Sequence, residues 1–509
     1  MNLLLRGVRP RIPTLHLLLG VFVLGYTLLG LATLSNGHSW GDDWAQYVLH
    51  ARNIATGHPY ADTGYLFNPD VPTVGPPTYP PGLALLLAPI VAVFGINIIA
   101  FKVVCFLCIV LAVAVVFRLF SLSVGQVTAL IAALLFALHP AIWASRQIIG
   151  SEAPYLLFSM LVLWWGARPQ QNEGKFLSST AAGILLGFLL YGSVTSRSIG
   201  IALLPALLVY GWAQRKPLGW FLGLVACFTL LVWLQTHWLV KPTSYENQLK
   251  GPTNWVILAN ANGYWLALAD LFPLPFGLSR LSSLVVIFLS ALGAWSVCAH
   301  REPTIQSARG VRSLAARIPL ILWYLAAYVL ALHLATIGPS SRLLLPILPI
   351  VIALALAGAH LIATHLPHRR RYILPAALVL TVYYAALFVR NTPNDEAATC
   401  EACMEMFVYV RTQTAPDTVI VFAKPRAMAL LGGRASWRPA QRYTSDELTH
   451  KLGKMGANVV VVGTPGSNFA EKYPAVPSVT ERIRDSGAEI LFRNSMFEVV
   501  RIAPIRGAQ

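Results

Sequence analysis

Residues 97–118 read NIIAFKVVCFLCIVLAVAVVFR, an apolar run whose only charged residues are Lys102 and Arg118. A helix rises 1.5 Å per residue, so a run of this length can cross a hydrocarbon layer about 30 Å thick. Similar runs recur on both sides of it, and their pattern predicts eleven membrane helices. We expect them at about 14–34, 97–118, 126–143, 153–167, 178–195, 199–213, 219–239, 281–299, 318–337, 343–363 and 373–390.

The composition of the 509 residues supports a polytopic membrane protein. Apolar residues make up 56% of the chain and charged residues only 12%, whereas a soluble domain carries about 25% charge. The net charge of +17 would suggest nucleic acid binding in a soluble protein. In a membrane protein the same excess is expected from cytoplasmic loops, so we predict no nucleic acid partner.

The distribution of basic residues predicts the orientation of the chain. With the N-terminus placed inside, the inside segments before residue 391 hold fifteen Lys and Arg residues and the outside segments nine. This asymmetry follows the positive-inside rule. Seven of the nine acidic residues of the same region then lie outside. Carboxylates at a membrane edge are functional candidates, so we expect the working face outside.

The hydropathy also predicts the division into domains. We expect a transmembrane domain over residues 1–390, with a first outer loop at 35–96, and an extracytoplasmic α/β domain over 391–509. Residues 83–95 form an apolar stretch too short to cross, and they predict a re-entrant or interfacial helix. Within the last 119 residues the pattern predicts strands at 417–423 and 457–463, a helix at 445–455, helical structure near 480–486, and a hairpin of 489–493 with 496–502.

The first outer loop holds the most distinctive cluster of polar and aromatic residues. It reads WGDDWAQY over residues 40–47 and VLHARNIATGHPY over residues 48–60. From Asp43 onward the apolar residues have helical spacing. Asp42 could cap this helix while Asp43 favours its dipole, which would be a purely structural role. Alternatively, one carboxylate caps the helix and the other carries out chemistry.

Several short motifs together resemble one class of membrane enzyme. The acidic pair after the first span, the Tyr four residues beyond Asp43, the continuation to residue 60 and a later YPPG at 79–82 resemble the GT-C class of glycosyltransferases. The similarity is to bacterial transferases related to the protein O-mannosyltransferases and the lipid A aminoarabinose transferases. This resemblance implies transfer of a sugar from a polyprenyl-phosphate carrier to a lipid, protein or glycan acceptor on the outer side of the membrane.

The resemblance also implies roles for individual residues. It places the catalytic base at Asp43, with Asp42 as the fallback, and a second acidic position at Glu152, which would position the acceptor or raise the pKa of Asp43. Arg197, in TSRSIG, and Arg342, in SRLLLP, correspond to basic residues that meet the carrier phosphate. Both guanidinium groups could instead snorkel or pair with Glu152 simply to satisfy charge.

Other residues of these motifs are expected to bind substrate. Tyr79 is assigned to the donor phosphate, and Tyr47 and His58 to substrate contacts. Two positions depart from the family pattern: Leu343 stands where an aromatic residue is usual, and Thr78 with Tyr79 replaces the acid and Lys of the aminoarabinose branch. The second departure argues against that particular sugar.

The chemistry of such a transfer fits the residue types. A departing phosphate develops negative charge that arginine can stabilise, and an acceptor hydroxyl needs a carboxylate to take its proton. A single displacement would invert the anomeric centre. No cofactor is expected: the histidines at 38, 58, 139 and 237 match no metal motif, so a divalent metal is not favoured. Cys400 and Cys403 predict a local disulfide or two inert thiols rather than zinc.

A transporter or flippase of lipid-linked saccharides is the alternative function. Transporters commonly have inverted repeats and ionisable residues near the membrane midplane. Here the ionisable residues crowd the outer edge and no repeat is visible, which favours the enzyme. Basic inside loops and an outward reaction predict a bacterial inner membrane protein that acts in cell envelope glycosylation.

Overall fold

The computed structural model describes residues 12–71, 74–168, 176–239, 254–273, 278–299, 311–335, 338–365, 398–485 and 487–502, with five further helical residues between 379 and 387. Within these residues, six helices are long and apolar enough to cross a membrane. They lie at Thr14–Ala32, Ile98–Ser121, Leu177–Ser196, Leu218–Trp238, Ser279–Ala299 and Ser341–His365. Each falls on a predicted span.

A seventh span is formed if one bent pair of helices is counted as a unit. Val311–Arg317 and Leu320–Leu334 meet at an angle of 96°, where Pro319 precedes the second helix and its fixed ring interrupts the backbone hydrogen bonds. Three other predicted spans, at 126–143, 153–167 and 199–213, coincide with helices of only 12, 16 and 11 residues. The predicted span at 373–390 lies largely outside the described residues.

The helices of the membrane region follow one another with short connections. In chain order they are α1 Ile12–Ala32, α2 Asp43–Thr56, α3 Gly82–Phe94, α4 Ile98–Ser121, α5 Gln126–Ala137, α6 Pro140–Ser145, α7 Glu152–Ala167, α8 Phe176–Ser196, α9 Leu203–Ala213, α10 Leu218–Trp238, α11 Asn254–Leu271, α12 Ser279–Ala299, α13 Val311–Arg317, α14 Leu320–Leu334, α15 Ser341–Leu344 and α16 Leu348–His365. Short 3-10 turns at Ser198–Ala202 and Leu345–Ile347 precede α9 and α16. The helix α3 covers the stretch for which the sequence predicts a re-entrant or interfacial helix.

Close backbone packing joins the membrane helices. The helices α12 and α16 meet at two glycines, where a Cβ on Gly293 would lie 1.9 Å from the carbonyl oxygen of Leu354 and one on Gly358 would lie 2.0 Å from that of Leu289. Small residues of this kind allow helix backbones to approach where lipid supplies no hydrophobic driving force. The helical membrane domain expected from the sequence is therefore confirmed.

The C-terminal part folds as a small sheet flanked by helices. It contains α17 Glu401–Gln413, α18 Pro425–Ala427, α19 Ser445–Met455, α20 Asn468–Lys472 and α21 Pro477–Asp485, with a π-helical turn at Met428–Gly432. The strands are β2 Ile420–Val421, β3 Ser436–Trp437, β4 Val459–Gly463, β5 Glu489–Arg493 and β6 Phe497–Arg501. The helix α19 matches its prediction, and the hairpin of β5 and β6 is confirmed. The strand predicted over 417–423 is reduced to two residues.

One strand of the sheet comes from the first outer loop. The order is β1-β3-β2-β4-β6-β5, and β1 is Tyr65–Leu66, which pairs in parallel with β3. The strands β3, β2 and β4 are also parallel neighbours, whereas β6 runs antiparallel to β4 and β5. The loop also supplies Trp40, whose ring packs in the core of the sheet against the aromatic rings of Phe407, Phe422, Phe469 and Phe497. The first loop and the sheet therefore form one folded unit.

Candidate active site

Asp42 and Asp43 stand at the start of α2, and their carboxylates go to different partners. Asp42 makes no side-chain cap to its own helix. Its carboxylate accepts the backbone N–H groups of Arg426 (3.3 Å) and Ala427 (3.0 Å) instead. The expectation that Asp42 caps α2 is therefore wrong: its carboxylate caps the start of α18 in the C-terminal part. Burial raises the pKa of Asp42, and the Arg426 guanidinium and these two N–H groups oppose that rise.

Asp43 is half exposed and is held by partners on both carboxylate oxygens. Its Oδ1 accepts a hydrogen bond from the Tyr79 hydroxyl at 2.7 Å and one from Arg426 Nη1 at 3.2 Å. Its Oδ2 lies 3.6 Å from Arg342 Nη1. The Asp43 side chain remains 45% exposed, so an incoming group can reach it. A carboxylate fixed on one oxygen and open near the other suits a proton acceptor.

Arg426 is a residue of this cluster that the sequence analysis missed. Its side chain is 0% exposed, and besides Asp43 its guanidinium donates to the Tyr79 hydroxyl (2.6 Å) and to the carbonyl oxygen of Pro76 (3.0 Å). The guanidinium carbon also lies 4.7 Å from the ring centroids of Tyr65 and Tyr79, at cation–π distance. Burial alone would lower the pKa of Arg426, but Tyr79 and the two carboxylates raise it above its ordinary value. Arg426 therefore stays charged.

The backbone of Tyr79 is held in place from both sides. Its N–H donates to His50 Nε2 at 3.2 Å, and its carbonyl oxygen accepts the Tyr60 hydroxyl at 2.9 Å. His50 Nδ1 lies 2.8 Å from the carbonyl oxygen of Tyr60, which fixes the neutral ring with its proton on Nδ1. Burial lowers the pKa of His50 to about 4, although the Tyr60 bond opposes that shift. A neutral His50 is needed because a proton on Nε2 would face the Tyr79 N–H.

A close helix contact brings Tyr79 to the region of Arg197. The helix α3 begins at Gly82, where a Cβ would lie 2.7 Å from the backbone nitrogen of Ser196 and 2.8 Å from the carbonyl oxygen of Thr195. Any larger residue at this position would push α3 away from the end of α8. The absence of a side chain at Gly82 thus sets the spacing between the YPPG turn and the TSRSIG segment.

Glu152 forms a nearly buried ion-pair cluster with two arginines. Its Oε1 lies 2.6 Å from Arg197 Nη1 and 2.6 Å from Arg342 Nη2, and Arg342 Nε donates to the same oxygen at 2.9 Å. Both arginines thus form ion pairs with Glu152, as the structural alternative from the sequence expected. Arg342 does more, because its side chain is 52% exposed and its Nη1 faces Asp43. Arg342 therefore bridges Glu152 and Asp43.

The loop before Glu152 is anchored by a buried lysine. Lys102 Nζ donates to the carbonyl oxygen of Ser35 (3.0 Å) and to Gln147 Oε1 (3.0 Å). The backbone N–H of Ile149 donates to His38 Nε2 at 3.1 Å. These bonds tie the end of the first span to the segment that precedes α7. The position of Glu152 relative to the first loop follows from them.

The structure brings most of the predicted site residues together. Asp42, Asp43, Tyr79, Glu152, Arg197 and Arg342 form one connected network of hydrogen bonds and ion pairs. The Tyr47 ring lies 5.0 Å from the Tyr79 ring, next to this network. His58 is exposed beyond the other end of α2, roughly 20 Å away along a helix of this length. Tyr79 contacts Asp43 and Arg426, the partners that fix its hydroxyl.

Metal ligands do not cluster in the part of the chain that the structure describes. No group of three or more His, Cys, Asp or Glu side chains there is arranged to hold a metal ion. Cys400 and Cys403 form a disulfide, one of the two forms expected for this pair.

Comparisons with known proteins agree with the fold. The family model described as dolichyl-phosphate-mannose-protein mannosyltransferase matches residues 78–235, a segment that includes Tyr79, Glu152 and Arg197. No curated protein matches the sequence significantly. The solved structure of ArnT from Cupriavidus metallidurans bound to undecaprenyl phosphate superposes with a TM-score of 0.58 at 13% identity, covering 97% of this chain and 99% of ArnT.

Two further solved structures share the architecture. The Archaeoglobus fulgidus oligosaccharyltransferase tethered with an acceptor peptide has a TM-score of 0.55 at 12% identity, covering 88% of this chain and 69% of its own. The arabinofuranosyltransferase AftD from Mycobacteria has a TM-score of 0.50 at 12% identity, covering 96% of this chain and 40% of its own. The chain is therefore a multi-pass membrane protein with the GT-C glycosyltransferase fold, as its sequence indicated. Residues 78–235 resemble the dolichyl-phosphate-mannose-protein mannosyltransferases.

Proposed function

We propose that this protein transfers a sugar from a polyprenyl-phosphate carrier to an acceptor hydroxyl at the outer face of a bacterial inner membrane. The residue network supports this, and so does the undecaprenyl phosphate bound to ArnT. The acceptor is a lipid, a protein or a glycan. The transmembrane domain of residues 1–390 provides the carrier site, and the part from residue 391 onward completes the site through Arg426.

Asp43 is the proposed base. Its Oδ2 takes the proton of the acceptor hydroxyl while the acceptor oxygen forms a bond to the anomeric carbon. The bond from that carbon to the phosphate oxygen breaks in the same step, and its electron pair leaves with the phosphate. Attack and departure on opposite faces invert the anomeric centre. Asp42 is occupied with the backbone of α18, which favours Asp43 over Asp42 for this role.

The leaving phosphate is assigned to the arginine side of the network. Arg342 presents a half-exposed guanidinium between Asp43 and Glu152, and Arg197 lies behind it. Arginine can hold two phosphate oxygens at once, and its charge stabilises the developing anion. Glu152 orients both guanidinium groups.

One observation carries the proposal. A half-exposed carboxylate and a half-exposed guanidinium lie 3.6 Å apart, although they come from positions 43 and 342 of the chain. An exposed ion pair alone contributes little to stability. Its support by Tyr79, Arg426 and Glu152 therefore favours a role in chemistry over a role in folding.

The test is loss of transfer in an Asp43→Asn protein. Mass analysis of lipids from cells that lack or carry the chain identifies the sugar, and labelled carrier in proteoliposomes gives the rate. We expect Asp43→Asn to lower the rate about 100- to 10,000-fold, the usual contribution of a general base. Asp62→Asn, at an exposed position of the same loop, is the matched control and should keep the wild-type rate. Wild-type transfer by a normally inserted Asp43→Asn protein would refute the proposal.

A further inference from the structure

Apart from the Asp43 network, a crevice lies at the carboxyl ends of the parallel strands β2, β3 and β4 in the C-terminal part. The chain leaves β2 toward β3 on one side, and it leaves β4 toward β5, which lies beyond β6, on the other. In open α/β sheets, connections that diverge in this way open a crevice where ligands bind. Here the crevice is lined by residues at or just after the strand ends, among them Ala423, Arg438 and Gly463, and by Lys472 and Tyr473.

The crevice gathers positive charge. Arg438 follows β3 directly, Lys472 ends α20, and both side chains line the crevice. Lys424, just after β2, places its Nζ 4.0 Å from the centroid of the Tyr473 ring. Within the described part of the chain, none of these three cations lies within 4.0 Å of a carboxylate oxygen. The lining residues include two cations and no acid.

The three charges are close enough to influence one another. Burial lowers the pKa of Lys424, Asp42 opposes that shift, and the charges of Arg438 and Lys472 add to it. A cluster of like charges costs free energy unless an anion neutralises it. The aromatic face of Tyr473, which is partly buried beside them, offers an apolar surface to a neighbouring ring.

We propose that this crevice binds an anionic saccharide. Arg438 and Lys472 would hold its phosphate or carboxylate group, and Tyr473 would pack against its sugar ring. Arginine recognises such groups through two parallel hydrogen bonds, and lysine through its point charge. The crevice is separate from the Asp43 network, although Lys424 stands only two residues before Arg426. Its assignment to the acceptor, rather than to a regulatory ligand, rests on the proposed function.

Binding of glucose 6-phosphate to the full chain in detergent tests the proposal. Equilibrium dialysis with the labelled sugar should show saturable retention, with uncharged glucose retained at least tenfold more weakly. Arg438→Gln with Lys472→Gln should weaken binding of glucose 6-phosphate at least tenfold. Tyr473→Ala should weaken it several-fold while leaving competition by inorganic phosphate unchanged. The double variant Lys454→Gln with Arg484→Gln removes two exposed charges of the same region and should bind normally.

Each outcome decides the proposal. Retention no greater than that of glucose, or equal losses in the two double variants, would overturn it. If Tyr473→Ala leaves binding of glucose 6-phosphate unchanged, or weakens competition by inorganic phosphate equally, the crevice is a simple anion site. Either result would overturn the saccharide part of the proposal. Lys472 is exposed, so Lys472→Gln alone serves if the double variant does not fold. This measurement requires no turnover, so a failure of Asp43→Asn to lose transfer would leave the binding result intact.

Discussion

Replacement of Arg426 by Gln tests whether the C-terminal part positions the proposed base. The guanidinium joins Asp43, the Tyr79 hydroxyl and the Pro76 carbonyl oxygen. A glutamine amide is shorter and neutral, and it can keep only one of these three hydrogen bonds. We expect Asp43 to lose its fixed orientation while the six long membrane helices stay folded, because the guanidinium partners given by the described residues, Asp43, Tyr79 and Pro76, lie outside those helices.

The size of the effect follows from the hydrogen bonds that the substitution removes. A hydrogen bond to a charged group contributes about 1.5–3 kcal/mol net. The Asp43 side chain is 45% exposed, so water can replace Arg426 there and that bond is discounted. Of the two buried bonds, the glutamine retains one at best. The remaining loss is about 2–3 kcal/mol, which corresponds to a fall in turnover of about 30- to 150-fold if it acts wholly through the base.

The assay is transfer in proteoliposomes, with the rate expressed per folded chain. We expect kcat to fall and KM for the carrier to change little, because Arg426 does not contact the proposed phosphate site. Arg426→Lys keeps the charge and should recover part of the rate. Arg484→Gln, an exposed change in the same part of the chain, is the control. Normal kcat in Arg426→Gln, or a loss that merely follows the unfolded fraction, would refute the reasoning.

Three further predictions concern the support of the site. Gly82→Ala should reduce transfer at least tenfold with normal insertion, because its Cβ would lie 2.7 Å from the Ser196 nitrogen. The control Gly20→Ala, whose Cβ would meet no atom within 4 Å, should keep the wild-type rate. Glu152→Gln leaves two guanidinium groups without their carboxylate and should cost about 3 kcal/mol, seen as a lower thermal midpoint; an unchanged midpoint would contradict this. His50 has a pKa of about 4 in the folded protein and about 6.5 in the unfolded chain. Between these two pH values the unfolded chain binds more protons, so the free energy of unfolding should fall from pH 7 to pH 5. A thermal midpoint independent of pH over that range would contradict the buried neutral ring.

Local patterns in the sequence account for the parts of the fold that depend on neighbouring residues. The helix over 445–455 begins with a capping box of Thr444 and Glu447 and ends at Gly456 in the left-handed conformation. Both signals can be recognised from the sequence alone. Long apolar runs likewise locate the membrane helices. Hydropathy does not show where a helix breaks, so the span predicted over 126–143 is divided into helices at 126–137 and 140–145, whereas the helix at 152–167 agrees with its prediction.

Contacts between distant segments could not be predicted in the same way. Arg426 meets Asp43 across 383 positions of the chain, and a Lys-Pro-Arg after a buried strand gives no sign of that partner. The strand β1 has two residues, too few for a period-2 pattern. The motif of Tyr79 associates it with phosphate, but only packing reveals that its hydroxyl donates to Asp43. Motif matching thus located Asp43, Glu152, Arg197 and Arg342, and the structure supplied the connections between them.

The pairing of β1 with β3 constrains the topology of the whole chain. Residues 65–66 pair with residues 436–437 in one sheet, so both pairs lie on one side of the bilayer. The chain between them must consequently cross the membrane an even number of times. Ten of the eleven spans expected from the sequence fall in that interval, which satisfies this parity. If one of the short helices turns back without crossing, a second must do so as well, and reporters placed at positions 66 and 436 must always give the same side.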